Sequence, residues 1–164
     1  DPVYKVNPPL RTEKDIHALR EALAEGVIDI VATDHAPHPA ENKECEWQEA
    51  AFGMLGLETA LSIIALTMVE TNLLDWKGVA QRFSRTPAQI GRYAHQGGEF
   101  KVGEMANLTV IDPAASWRVD RDLVASRSRN TPFHGMELPG VITETFFKGV
   151  PTLRNAQLMQ KENS

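Results

Sequence analysis

Cysteine is all but missing from this chain: Cys45 is the only one among 164 residues. No internal disulfide framework can form, and that usage fits a reducing cytoplasm. Positive charge is also scarce. The formal net charge is -5 and the Lys and Arg residues are scattered, which excludes the basic stripe of a nucleic-acid surface. Long apolar runs are absent too: no uninterrupted stretch reaches the roughly 18 to 20 residues of a membrane span. With no charged-then-apolar leader ahead of the first motif, a soluble, unexported, cytoplasmic protein is expected. Cys45 itself sits among Glu41, Lys43, Glu44 and Glu46, whose acidic members disfavour a thiolate, and reads as a bystander in a loop.

What is present is ordinary globular material, 42% hydrophobic and 24% charged, enough for one domain's core. Its focus is Val31-Ala32-Thr33-Asp34-His35-Ala36-Pro37-His38. An apolar β-type run from Val27 to Val31 stops there at a carboxylate, two imidazoles and a proline. Polar chemistry at a strand's carboxyl end is where α/β proteins put their sites. A carboxylate there can ligate a divalent metal, take a proton from water, or cap a turn, and the octet alone leaves all three open.

Around it the chain alternates. Thr12-Glu13-Lys14-Asp15 reads as a helix start, Ile16, Leu19 and Leu23 as its inward stripe, and Gly26 as its stop. The strand to Asp34 follows, and then a polar, turn-rich loop through Glu49 whose length suits function. The glycines of Phe52-Gly53-Met54-Leu55-Gly56 allow backbone to approach a neighbour or a ligand closely. Leu57, Leu61, Ile64, Ala65 and Met68 form the stripe of a second helix ending near Thr71-Asn72. Asp75 caps a third with Val79, Ala80 and Phe83 inward, and Thr86-Pro87 opens a fourth. Beyond Gly97 the pattern turns β-rich, with strands expected at Leu108–Ile111, near Trp117-Arg118-Val119, and from Val141 to Lys148. About two αβ units followed by strands are too few for a closed barrel of about 250 residues. Asp1-Pro2 carries no initiator Met and runs into the proline-locked Asn7-Pro8-Pro9, so the chain reads as the continuation of something longer.

Tyr4-Lys5-Val6-Asn7-Pro8-Pro9-Leu10-Arg11, then Ala32-Thr33-Asp34-His35-Ala36-Pro37-His38, then Ala51-Phe52-Gly53-Met54-Leu55-Gly56-Leu57-Glu58-Thr59-Ala60 closely resemble successive motifs in the C-terminal portion of bacterial dihydroorotases of the amidohydrolase superfamily. Gly103 to Val110 resembles the superfamily's returning strand, and Ser128-Arg129-Asn130-Thr131-Pro132-Phe133 a late dihydroorotase motif. The resemblance implies an α/β fold: the C-terminal part of a TIM (β/α)8 barrel over residues 1–96, with strands of a small composite β-sandwich and a tail over 97–164. It also implies a zinc enzyme, with one or two ions, that interconverts dihydroorotate and N-carbamoyl-L-aspartate in pyrimidine biosynthesis.

The family's His-x-His pair and its carboxylated lysine have no counterpart in this sequence, and His17, His95 and His134 are isolated. By family match, Asp34 is a metal ligand and the general base that takes a proton from the attacking water and returns it to the leaving nitrogen. His38 matches a contact to the substrate carboxylate, Asn7 to the cyclic amide edge, and Phe52 and Gly53 to a place where backbone meets the substrate's polar edge. His35 either orients Asp34 or is packed and satisfied locally. Ser126 to Asn130 reads as a solvated basic turn without a catalytic role. Three functions follow: a dihydroorotase completed by an N-terminal half, a silent dihydroorotase-like subunit supporting aspartate transcarbamoylase, or a hydantoinase or allantoinase. A homodimer is a further expected form.

Overall fold

A computed structural model describes residues 1–159 except residue 94; the end of the expected tail, 160–164, lies outside the described residues. Helix α1 spans Glu13–Glu25. At its start the Asp15 carboxylate accepts from both the Thr12 amide (3.1 Å) and the Thr12 hydroxyl (2.8 Å), satisfying a donor that the first turn leaves free. Gly26, in the left-handed region at φ 85, ends it. Of its expected stripe only Leu23 is buried, while Leu19 is 57% exposed. The periodicity located the helix correctly, but among the described residues only its C-terminal turn has packing partners. Arg82 supplies one of them, its Nε donating to the Leu23 carbonyl at 3.0 Å.

The segment after α1 forms no ladder. The expected strand from Val27 to Val31 runs without β pairing, and the Val31 amide donates instead to the Arg82 carbonyl at 3.3 Å. A parallel strand needs a neighbour's main chain at its edge, and among the described residues no strand lies against this one. Pairing begins just beyond, where His35 and Met54 form an isolated parallel bridge.

Helix α2, Ala60–Ile64, runs on into a π-helical turn, Ala65–Val69, in one rod. Met68 and Ala65 are fully buried on it, whereas Leu57 ahead of it is 62% exposed. The expected third and fourth helices likewise join. Asp75 accepts from the Gly78 amide at 2.7 Å to open α3, Trp76–Ala80, and a π turn, Gln81–Arg85, carries the chain into α4, Thr86–Ile90. Pro87 donates no hydrogen bond and its ring crowds the carbonyl four residues back. The wider π turn accommodates it without breaking the rod. Val79 points inward as expected, but Ala80 is exposed.

The C-terminal part is one antiparallel sheet in the order β1-β2-β3-β4: Leu108–Arg118, Glu137–Phe147, Val150–Arg154 and Gln157–Leu158. The two strands expected at Leu108 and Trp117 are one bulged strand. Asp112 turns its carboxylate onto the amides of Ala114 (2.9 Å) and Ala115 (3.2 Å), and pairing resumes with Ser116 against Pro139 and Trp117 against Leu138. The rod α2 lies on this sheet. Ser62 joins them, its hydroxyl accepting from the Trp117 indole at 2.9 Å and donating to the Gly140 carbonyl at 3.0 Å. Leu138 in β2 and Val119, one residue beyond β1, are fully buried.

Candidate functional site

Three segments meet beside the His35–Met54 bridge. The Ala36 amide donates to the Met54 carbonyl at 3.0 Å, and the Gly53 amide to the Lys5 carbonyl at 2.9 Å. This approach needs glycine. A Cβ on Gly53 would lie 2.5 Å from the Ala36 Cβ, with φ at 121°, and one on Gly56 would lie 2.8 Å from the Thr33 carbonyl. The expectation that these glycines allow close backbone contact is met, and the neighbour is the octet itself.

His38, Phe52 and Gly53 are brought together. The His38 Nε2 bonds the Phe52 carbonyl at 2.9 Å, and Gly53 is buried with its amide and carbonyl both bonded within the protein. Asn7 lies two residues beyond Lys5, exposed, with a cis peptide bond to Pro8. Asp34 is exposed at φ 45, a left-handed conformation that Asp tolerates better than most residues. Among the described residues its carboxylate enters no hydrogen bond or ion pair. His35 takes the local role of its two readings: its Nδ1 accepts from the amides of Gly56 (3.1 Å) and Leu57 (3.3 Å), so the neutral ring carries its proton on Nε2.

Two residues that sequence reasoning passed over hold this junction. Asn130 is 6% exposed. Its side chain accepts from the His38 amide (3.2 Å) and donates to the carbonyls of Ala36 (2.9 Å) and Gly53 (3.4 Å). The Asn130 carbonyl also accepts from the Leu55 amide at 3.1 Å. The reading of Ser126 to Asn130 as a solvated turn is therefore corrected at Asn130; its polar side chain satisfies three backbone groups that water would otherwise serve. The signal was the Ser128 to Phe133 motif, whose role composition could not reveal. Lys43 is the second, 5% exposed. Its ammonium donates to the carbonyls of Ala51 and Gly53 at 2.9 Å each and of Lys5 at 3.4 Å. Burial, and next the charge of Lys5, push its pKa below the ordinary lysine range, against an opposing pull from Cys45. The Lys5 ammonium is anchored on the Trp47 and Gln48 carbonyls at 2.7 and 3.0 Å and stands 4.8 Å from the Phe52 ring centre.

A cleft of about 440 Å³ opens beside the junction, lined by His38, Lys43, Arg129, Asn130 and Thr131 among others. A shallower apolar groove lies between Val6, Leu10, Trp47 and Phe52. Neither includes Asp34. Among the described residues no three His, Cys, Asp or Glu side chains gather to hold a metal ion. Zinc takes three or four protein ligands, so these residues alone do not fit it; Asp34 offers one carboxylate. His17, His95 and His134 are exposed, and His134 Nδ1 accepts from the Arg121 amide at 3.1 Å. No helix among the described residues is long and apolar enough to cross a membrane.

Comparison with known proteins places these features in a family. A protein named dihydroorotase from Streptomyces coelicolor is 61% identical over 158 residues, covering 96% of this chain and 37% of the relative. Another of that name from Mycobacterium tuberculosis is 51% identical over 158 residues, again covering 96% of this chain and 37% of the relative. The chain thus spans little more than a third of the length of the curated relatives it matches. Among solved structures, an L-hydantoinase (dihydropyrimidinase) from Arthrobacter aurescens superposes with a TM-score of 0.88 at 31% identity, over 97% of this chain and 36% of that one. A D-hydantoinase from Thermus sp. does so with a TM-score of 0.87 at 25% identity, over 98% and 36%. The family model described as "Amidohydrolase family" matches residues 6–152. With its glycine-permitted junction beside the Asp34 turn and its α/β fold shared with solved hydantoinases, the chain belongs to the amidohydrolase family.

Proposed function

We propose that this chain is the C-terminal portion of a dihydroorotase that reversibly opens the cyclic amide of dihydroorotate to N-carbamoyl-L-aspartate. The observation that carries this reading is the gradient of similarity. Identity is 61% and 51% to proteins named dihydroorotase, against 31% and 25% to the hydantoinases that share the fold. In this reading residues 1–96 belong to a TIM barrel and 97–164 to a composite β-sandwich, and the protein works in the cytoplasm.

The chemistry assigned to these residues is proton management. As water's oxygen bonds to the amide carbon and the ring C–N bond breaks, the Asp34 carboxylate takes the water's proton and delivers it to the departing nitrogen. Ring closure runs the same transfer backwards. His38, whose Nε2 now bonds Phe52, holds the substrate carboxylate. Asn7 meets the amide edge with both a donor and an acceptor, and Phe52 and Gly53 shape the wall beside it. Zinc would be held by Asp34 together with ligands on the N-terminal half of the enzyme, and would supply acidity to the attacking water. The N-terminal half of the same enzyme is the partner this reading requires, and a homodimer or an aspartate transcarbamoylase assembly is a further partner in it.

The test is Asp34→Ala in the complete assembly, assayed for dihydroorotate turnover alongside metal content. A loss of at least about a hundredfold is expected for removal of a general base. Turnover retained in the variant refutes the assigned base. A complete assembly without turnover and without bound zinc speaks for the silent subunit, and one that hydrolyses hydantoin in preference to dihydroorotate speaks for the hydantoinase.

A further inference from the structure

The carbonyls around Phe52 point in two directions. Those of Ala51 and Gly53, on either side, both receive the Lys43 ammonium at 2.9 Å, while that of Phe52 itself faces His38 Nε2 at 2.9 Å. With the two flanking carbonyls drawn to one point, the middle one faces the other way, onto His38. The third carbonyl on Lys43 is that of Lys5, two residues ahead of Asn7, and the same oxygen accepts the Gly53 amide. One side chain therefore joins the segments of Asn7 and Phe52–Gly53 to the loop that leads from His38.

An ammonium has three N–H donors, the number needed here. Among the described residues no carboxylate lies within ion-pair distance of it, so its hydrogen-bond partners are carbonyl dipoles, a costly arrangement for a buried cation. A neutral donor would tie a loop at lower cost. The charge adds a pull on three carbonyls at once, which a neutral amide cannot reproduce.

We propose that Lys43 is a positioning residue: its buried ammonium, shared among the carbonyls of Lys5, Ala51 and Gly53, orients the Phe52 carbonyl toward His38 and aligns the Asn7 and His38 segments for substrate binding. The inference rests on the dihydroorotase reading for its kinetic consequence, and not for its structural one.

The experiment uses Lys43→Met and Lys43→Arg in the complete assembly, with dihydroorotate as substrate. Lys43→Met keeps the length of the stem and removes all three donors; Lys43→Arg keeps the charge but spreads it over a planar fork that does not converge on one point. The expected result is a KM raised by about tenfold or more in Lys43→Met, with kcat changed by less than about threefold, and a smaller rise in the same sense for Lys43→Arg. In a His38→Ala background the further KM penalty of Lys43→Met should largely vanish, since the two act through one contact. A KM unchanged within about twofold in either folded variant, or full additivity with His38→Ala, overturns the inference. If Lys43→Met does not fold, the KM of Lys43→Arg decides between these outcomes. Hydrogen exchange separates the two readings. Should the unsubstituted assembly not turn over dihydroorotate, the functional reading fails on its own, and the brace is still judged by exchange at the Gly53 amide. Faster exchange there in Lys43→Arg, with 137–147 unchanged, supports the brace, and unchanged exchange at Gly53 overturns it.

Discussion

Gly53 shows how little space the candidate site leaves at single residues. Its φ of 121° and the 2.5 Å separation between an added Cβ and the Ala36 Cβ make alanine unacceptable twice over, once for the backbone and once for packing. Gly53→Ala should destabilise the fold by about 3 kcal/mol, read as a shifted urea midpoint, and an unshifted midpoint would show that the two segments separate freely. Motif matching found Gly53, His38 and the octet because they are contiguous and chemically distinctive. Lys43 and Asn130 escaped it for a physical reason. A lysine among Glu41, Glu44 and Glu46 has the local composition of a solvated loop, and only the arrival of carbonyls from distant segments turns it into a buried brace. Asn130 stands 92 residues from its partner His38, a separation no local pattern reports.

Among the elements, one hydroxyl ties α2 to the sheet. Ser62 is 3% exposed and links the Trp117 indole to the Gly140 carbonyl, so Ser62→Ala leaves a part-buried donor and a buried acceptor unpaired. A loss of about 1 to 3 kcal/mol in chemical denaturation is expected, whereas Ser62→Thr keeps the hydroxyl and should recover part of it. Local chemistry made several boundaries legible: the Thr12–Asp15 box, the Gly26 stop and the Asp75 cap all appear where the residues placed them. Lys148 and Gly149, both at positive φ, form the tight turn that closes β2 onto β3. The joining of the third and fourth helices and the bulged β1 were less legible, because a π turn ahead of Pro87 and an aspartate folding back on two amides continue an element where turn chemistry ordinarily ends it.

For the molecule as a whole, the decisive quantity is the ligand count. No three His, Cys, Asp or Glu side chains converge among the described residues, so residues 1–164 prepared without any partner should show no dihydroorotate turnover and retain no stoichiometric zinc after dialysis. Turnover by the partner-free chain would overturn the assignment of the missing ligands to another part of the enzyme. Leu10, Val27, Phe52, Ile90 and Tyr93 each stand more than half exposed, and in the dihydroorotase reading the rest of the enzyme would cover part of this surface.

The sequence by itself determined the family, the octet with its carboxylate, the glycines beside it, and the succession of helices followed by strands, because these depend on neighbouring residues and on motifs that survive reading in one dimension. The tertiary structure alone decided that the run before Asp34 forms no ladder, that His35 is satisfied by two amides, and that Lys43 and Asn130 tie three separate segments together. Those outcomes rest on hydrogen bonds between residues far apart in the chain, and a buried polar group takes its partner from whatever the fold brings within reach.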